Sequence, residues 1–336
     1  LPQKELSITD IENIRIGQVS DPTAGTGCTV IVCPRGAVCG VDQRGGAPGT
    51  RETDLLRPMH LVEKVHAIIL AGGSAFGLDA ASGVMRYLEE HKIGFDTGYA
   101  KVPIVPAAIL YDLGYGDANV RPDADMGYQA CVQASTIPPQ CGNFGAGTGA
   151  TVGKILGMSQ AMKSGIGWAV MEISNGVYVG AIVAANAFGD ICDPETGAIL
   201  AGTRSIKKGP IQIGDTEYFA NTQETMRSMI GKTILNIAAN TNTVIGAVIT
   251  NASLNKEEIN KVAQMAQDGL ARVIRPAHTM QDGDTIFALS TGKKKCDVNI
   301  VGAFAVDMVA QAIVDAVKQA DAVEGLPSYK SIHAIE

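Results

Sequence analysis

Apolar and polar positions along this chain alternate with two different periods, and their order separates strands from helices. Cys28–Cys33 and Ala37–Asp42 are apolar, β-branched runs on either side of Pro34-Arg35-Gly36, and they predict two early strands. Gly167–Ser174 and Val177–Ala185 flank Asn175-Gly176, a pair that favours a two-residue hairpin. Val244–Thr250 is apolar almost throughout and predicts a strand buried on both faces, and Thr285–Leu289 predicts one more. Helical spacing appears near Asp54–Val65 and over Leu78–Glu90, the latter set off by Gly77. Asn255 can cap a helix whose apolar residues Ile259, Val262, Ala266 and Leu270 share one face. Asn299–Ala320 predicts a long amphipathic helix. Strand pairs and helices come in blocks without a regular βαβ repeat, which favours an α+β layered architecture over a doubly wound sheet.

Composition narrows the class. The 336 residues are 46% hydrophobic and 18% charged, so the chain can bury a core without staples. A net charge of −7 leaves no basic footprint for phosphate, and nucleic acid is not an expected partner. Gly is plentiful at 39 residues and aromatics scarce at 5%, so tight turns and close backbone packing are expected. The seven cysteines include no Cys-x-x-Cys pair and the histidines no His-Glu-x-x-His pair, so no metal site is written in either motif. Buried free thiols in a reducing compartment are expected instead. No apolar run reaches the roughly eighteen residues of a membrane span. The opening Leu1-Pro2-Gln3-Lys4-Glu5 is polar, without the apolar centre of a secretory signal, and a cytoplasmic location is expected.

Two glycine-rich segments imitate known motifs and fail them. Gly145–Lys154 lacks both the Gly five residues before Gly153-Lys154 and the hydroxyl after it, because Thr148 and Ile155 stand there. Its glycines suggest a backbone held close to something, with Lys154 delivered at the end. Gly72-Gly73-Ser74-Ala75-Phe76-Gly77 is not a nucleophile elbow, since Phe76 occupies the second Gly position, and it reads as a tight turn into a helix. A third segment, Asn240-Thr241-Asn242-Thr243, runs directly into the buried strand. It gains interest from Arg275–Thr285, where Asp282 and Asp284 sit two residues apart at a strand start and can share a face. Spacing leaves open a plain turn, a divalent-cation site of hard oxygen ligands, or an acid pair serving one reaction.

Taken together, Val41–Thr50, Leu70–Leu78, Gly145–Lys154, Asn242-Thr243 and Asp282-Gly283-Asp284-Thr285 resemble the family of L-aminopeptidase/D-esterases, β-peptidyl aminopeptidases and nylon-oligomer hydrolases, over nearly the whole chain. The resemblance implies an N-terminal-nucleophile-like fold, a four-layer αββα sandwich within the α+β class. It implies a precursor of one domain, 1–336, that cuts itself between Asn242 and Thr243 into chains 1–242 and 243–336. Thr243 then becomes the nucleophile, with Thr241 as its rival. A Thr hydroxyl needs a base, and cleavage frees an α-amine whose pKa of about 7.7–8.0 suits that task.

By the same resemblance Asp282 and Asp284 orient and polarise the hydroxyl and amine, and Lys154 keeps the amine neutral by like-charge repulsion. Asn186 stabilises the oxyanion, and Tyr111 is a further site residue. No metal or organic cofactor is required. The implied partners are a small peptide, amino-acid amide or ester, or oligoamide substrate, and further copies of the chain in a homo-oligomer, a dimer or tetramer of processed units. Aminopeptidase members carry a Glu just before the site Tyr, and Ser and Glu in place of the two aspartates. This chain has no acid in Pro106–Leu110 and keeps Asp282 and Asp284, which leans towards the oligoamide branch. Two alternatives remain at this level: acyl transfer of the ornithine acetyltransferase type, and an unprocessed binding protein that keeps the fold.

Overall fold

The computed structural model describes residues 6–208, 211–213, 218–228 and 242–333. Nine strands form one continuous sheet: β1 (Arg15–Asp21), β2 (Thr26–Gln43), β3 (Thr50–Arg51), β4 (Lys64–Ala71), β5 (Ala107–Ile109), β6 (Ile166–Ser174), β7 (Val177–Asn186), β8 (Thr243–Ala252) and β9 (Thr285–Lys294). Their order is β6-β7-β8-β9-β2-β4-β5-β3, with β1 paired to β2. Among the described residues four long helices complete the frame: α1 (Ala80–Glu90), α2 (Ala124–Gln133), α3 (Lys256–Val273) and α4 (Val298–Lys318).

The two early strands are one. Pro34-Arg35-Gly36 does not end β2 but shifts its register against β4 between Val32 and Ala37, with Gly36 at φ +71°. A bulge accommodates the missing proline N–H. The result is an 18-residue strand that pairs with β1 and β4 along its first half and with β9 along its second.

This long strand lets the sheet fold over itself. Ile31, Cys33 and Cys39 of β2 meet Ile68 of β4, Ile245 of β8 and Phe287 of β9 in a core between the two sheet halves. The opposite face of the first half carries Val30, Val32 and Ile69 against Val84 and Leu88 of α1 and Cys131 of α2. Val183 of β7 and Val244 and Val248 of β8 pack outward against Val262 and Leu270 of α3 and Val309 and Ile313 of α4. Helix, sheet, sheet and helix stack in that order, the αββα sandwich. Strand period 2 produces it, because successive residues of β8 serve opposite cores. Each Val or Ile buried this way contributes about 1.5–3 kcal/mol.

Local signals held at most elements. Asn175 and Gly176 take φ 43° and 76°, the positive pair that a tight hairpin requires. Asn255 and Glu258 form a reciprocal capping box at the start of α3. The Gly72–Gly77 segment is a turn entering the 3-10 stretch Ser74–Asp79 and then α1. One expected helix is absent. Of Asp54–Val65 only Asp54–Leu56 makes a 3-10 turn; Arg57 before Pro58 is extended at ψ 145°, and Lys64 already begins β4. Proline excludes its predecessor from helical ψ, and the β-branched, apolar sequence after Lys64 fits a central strand. Helix α4 is long and apolar enough to cross a membrane, but 67% of that stretch is buried inside the protein, much of it against α3 and the sheet.

Candidate active site

Strand directions bring three chain ends to one point. β7 runs antiparallel to β8, so its last residue Asn186 pairs with Thr243, the first of β8. β9 runs parallel to β8, and the residues before the two strands, Asp282 and Asn242, form an isolated bridge. Thr243, Asp282 and Asp284 are all buried, at 3%, 2% and 1% exposure. Asn240 and Thr241, the remainder of the turn and the rival nucleophile, lie outside the described residues.

The carbonyl oxygen of Asn242 accepts the Thr243 hydroxyl and the Gly283 N–H, the latter at 3.2 Å. Asp284 accepts the Val244 N–H at 2.9 Å on Oδ1, and the His278 N–H and ring Nδ1 at 3.2 and 2.8 Å on Oδ2. Asp282 accepts Phe188 N–H at 3.3 Å on Oδ1, and the Thr279 N–H and hydroxyl at 2.9 and 2.6 Å on Oδ2. Gly283 must be glycine, because a Cβ there would lie 2.3 Å from the Ala47 carbonyl oxygen. The Asn242 carboxamide is buried and neither its oxygen nor its nitrogen has a partner among the described residues.

Lys154 reaches the same point from the Gly145–Lys154 loop. Its Nζ donates to the Asn186 side-chain oxygen at 2.6 Å and the Asn186 carbonyl at 3.2 Å. Asn186 in turn donates from Nδ2 to the Tyr111 carbonyl at 2.9 Å and accepts the Thr151 N–H at 3.1 Å. Tyr111, Asp112, Thr151, Lys154 and Met158 line a narrow pocket of about 20 Å³, room for about one water. The loop glycines serve close approach as expected: a Cβ on Gly149 would lie 2.2 Å from the Gly25 carbonyl oxygen. A second buried lysine, Lys163, braces this loop by donating to the carbonyls of Gly147, Ala150 and Ser164 at 3.3, 2.9 and 2.6 Å.

Charge is finely divided here. Burial pulls Lys154 down to about 7, opposed by the negative fields of Asp282 and Asp112 and reinforced by Lys163. Burial and then the charge of Asp284 push Asp282 up to about 6. Two carboxylates in one dry site resist sharing two charges. All seven thiols are free, and burial pushes Cys33 and Cys131 up to about 12 and Cys192 up to about 11, away from the thiolate form. Among the described residues no group of three or more His, Cys, Asp or Glu side chains is placed to hold a metal ion.

The profile of peptidase family S58 matches residues 7–330, almost the whole chain. The chain belongs to that family. It is a hydrolase of amide bonds. This S58 peptidase is 42% identical to an uncharacterised aminopeptidase of Mycobacterium tuberculosis H37Rv, over 97% of each chain. It is 30% identical to a 6-aminohexanoate-oligomer endohydrolase of a Kocuria species, covering 92% of this chain and 85% of the relative. Among solved structures it resembles the L-aminopeptidase D-Ala-esterase/amidase of Ochrobactrum anthropi, described as a variant of the Ntn hydrolase fold. That match has a TM-score of 0.70 at 18% identity, covering 98% of this chain and 93% of the other. A Burkholderia β-aminopeptidase matches with a TM-score of 0.64 at 20% identity, over 94% and 86% of the two chains.

All six residues singled out in the sequence meet in one region of this S58 peptidase, Tyr111 through its main-chain carbonyl and Thr243 through strand pairing with Asn186. Four further residues take part that sequence reasoning passed over: His278 and Thr279 on the acid pair, Gly283 on the Asn242 carbonyl, and Lys163 under the loop. The first three sit inside Arg275–Thr285, and the signal was there to find. Lys163 had none, because a single lysine near a strand looks like any surface lysine until its burial is known.

Proposed function

We propose that this S58 peptidase is a self-processing amide hydrolase with Thr243 as its nucleophile. The observation that carries the reading is the Thr243 hydroxyl resting on the carbonyl of the preceding peptide, which the Gly283 N–H also holds. Attack by Oγ on the Asn242 carbonyl carbon breaks the Asn242–Thr243 C–N bond, and the hydroxyl proton goes to the departing amide nitrogen. Water then opens the resulting ester, leaving an Asn242 carboxylate and a Thr243 with free hydroxyl and α-amine. The developing oxyanion already has one donor in place.

In the processed enzyme the α-amine takes the Thr243 proton as the hydroxyl attacks a substrate amide or ester. Asp284 and Asp282 orient that pair, Lys154 opposes protonation of the amine, and Asn186 with Tyr111 completes the wall on the Lys154 side. Segments 1–242 and 243–336 stay together as one folding unit, because β8 lies between β7 and β9 in the middle of the sheet. The substrates are small peptides, amino-acid amides or esters, or oligoamides. Pro106–Leu110 is buried and offers no carboxylate to a substrate ammonium, so an N-acetylated amide is expected to be cut as readily as its free-amine counterpart.

The test is the denatured mass of the protein during incubation near neutral pH. Fragments of about 25 and 10 kDa are expected, at about 110 Da per residue, the smaller beginning at Thr243. Hydrolysis by a chain that stays whole, or a new N-terminus elsewhere, overturns the assignment. A second expectation concerns pH. Activity requires a neutral α-amine, so kcat/KM rises with pH through the amine's pKa, which Lys154 lowers and the two acids raise. Lys154→Met leaves the acids unopposed, and the rising limb is expected to move to higher pH by about one unit. A limb that stays in place or moves lower removes Lys154 from this role.

A further inference from the structure

The two acids beside Thr243 are gripped by consecutive residues of one loop, and the grips differ. Thr279 gives Asp282 a backbone N–H and a hydroxyl. His278 gives Asp284 a backbone N–H and faces the same oxygen with ring Nδ1 at 2.8 Å. A hydroxyl can turn to donate to a carboxylate or accept from a carboxylic acid, so Asp282 is held in either protonation state. His278 cannot turn its ring this way. Its backbone is in the left-handed region at φ 58°, and Nδ1 could accept from a protonated Asp284 only with the ring proton on Nε2, which is buried and meets no partner among the described residues. The remaining oxygen of Asp284 accepts the N–H of Val244, the residue after the nucleophile. Both bonds to the side chain of His278 and to Val244 favour an ionised Asp284.

We propose that His278 is a positioning residue: when the pair holds a single proton, it assigns the negative charge to Asp284 and the proton to Asp282, and so keeps a charge beside Thr243 as the pair titrates. The inference rests on the reading of Thr243 as nucleophile for its catalytic consequence, but not for the charge division itself. The titratable groups facing the pair are Lys154 from the glycine-rich loop and His278 from the acids' own loop. Arg44, whose backbone N–H bonds the Asp284 carbonyl, turns its guanidinium to Asp42 and Asp268.

Asn and Asp both tolerate the left-handed backbone and match each other in size, and the Asn amide nitrogen can occupy the Nδ1 position. His278→Asn therefore keeps the donor, and His278→Asp replaces it by an acceptor. The first readout is the carboxyl carbon-13 titration of Asp282 and Asp284 in the Thr243→Ala chain, which needs no processing. Asp282 is expected to hold its proton to higher pH than Asp284 with His or Asn at 278, and the order is expected to collapse or invert in His278→Asp. An unchanged order in His278→Asp overturns the inference, and so does an order lost equally in His278→Asn.

The second readout uses the otherwise native chain. His278→Asp is expected to process and turn over at least tenfold more slowly through kcat, with KM little changed, and His278→Asn is expected to restore most of the rate. Equal rates in both variants and the native chain overturn the catalytic part. A native chain that never processes, with the titration order intact, refutes the Thr243 reading and the catalytic role while the charge division stands.

Discussion

Thr243→Ala is expected to remain a single chain of 35.0 kDa and to lose amide hydrolysis by about 10⁶-fold, to the level of background. Both losses follow from one atom, because the same hydroxyl is asked to cut the chain and to attack the substrate. The fold is expected to survive. The other nine residues of β8 keep their burial, and the hydroxyl's one described contact is to the carbonyl of its own neighbour. Denatured mass and hydrolysis of a small amide, measured on the same preparation, check this. Thr243→Ser keeps an attacking hydroxyl and is expected to process. A Thr243→Ala protein that is cleaved and active would falsify the nucleophile assignment outright.

Asp284→Asn is the second large effect. The substituted amide can still offer an oxygen to the Val244 N–H, so the strand start stays in register. Its NH2 group must then face the His278 backbone N–H, which approaches the other oxygen at 3.2 Å. Donor meets donor in a buried site, the charge beside Thr243 is gone, and processing is expected to slow by about 10²-fold. Asp282→Asn also sets its NH2 group against a backbone N–H, of Thr279 or of Phe188, but the Thr279 hydroxyl can reverse its hydrogen bond and accept, so the cost is expected to be smaller, about tenfold. The time course of fragment formation in both variants decides it. Native rates in Asp284→Asn would remove that carboxylate from the reaction.

Much of the architecture was readable before any coordinates. Strands β7, β8 and β9 and helices α1, α3 and α4 announced themselves by period, caps and the Asn175-Gly176 turn, since those signals are local. The helix over Asp54–Val65 misled because its apparent period ignored Pro58, and β4 went unseen as the strand that replaces its end. Merging of two strands into β2 was equally hidden, because whether Pro34 and Gly36 break a strand or bulge it depends on β4 lying alongside.

The candidate site divides in the same way. Residue types and order singled out Thr243, Asp282, Asp284, Lys154, Asn186 and Tyr111 as candidates, because the family's ordered blocks lie in the chain as text. Nothing in that text says that Asn186 pairs with Thr243, that Gly283 holds the Asn242 carbonyl, or that Lys163 is buried under the loop. Sequence by itself determined the chemistry available, since side-chain identity needs no neighbours. Only the tertiary structure decided which carboxylate is gripped by a histidine and which by a threonine. Hydrogen-bond partners and the loss of water depend on segments distant in the chain meeting at one point in space.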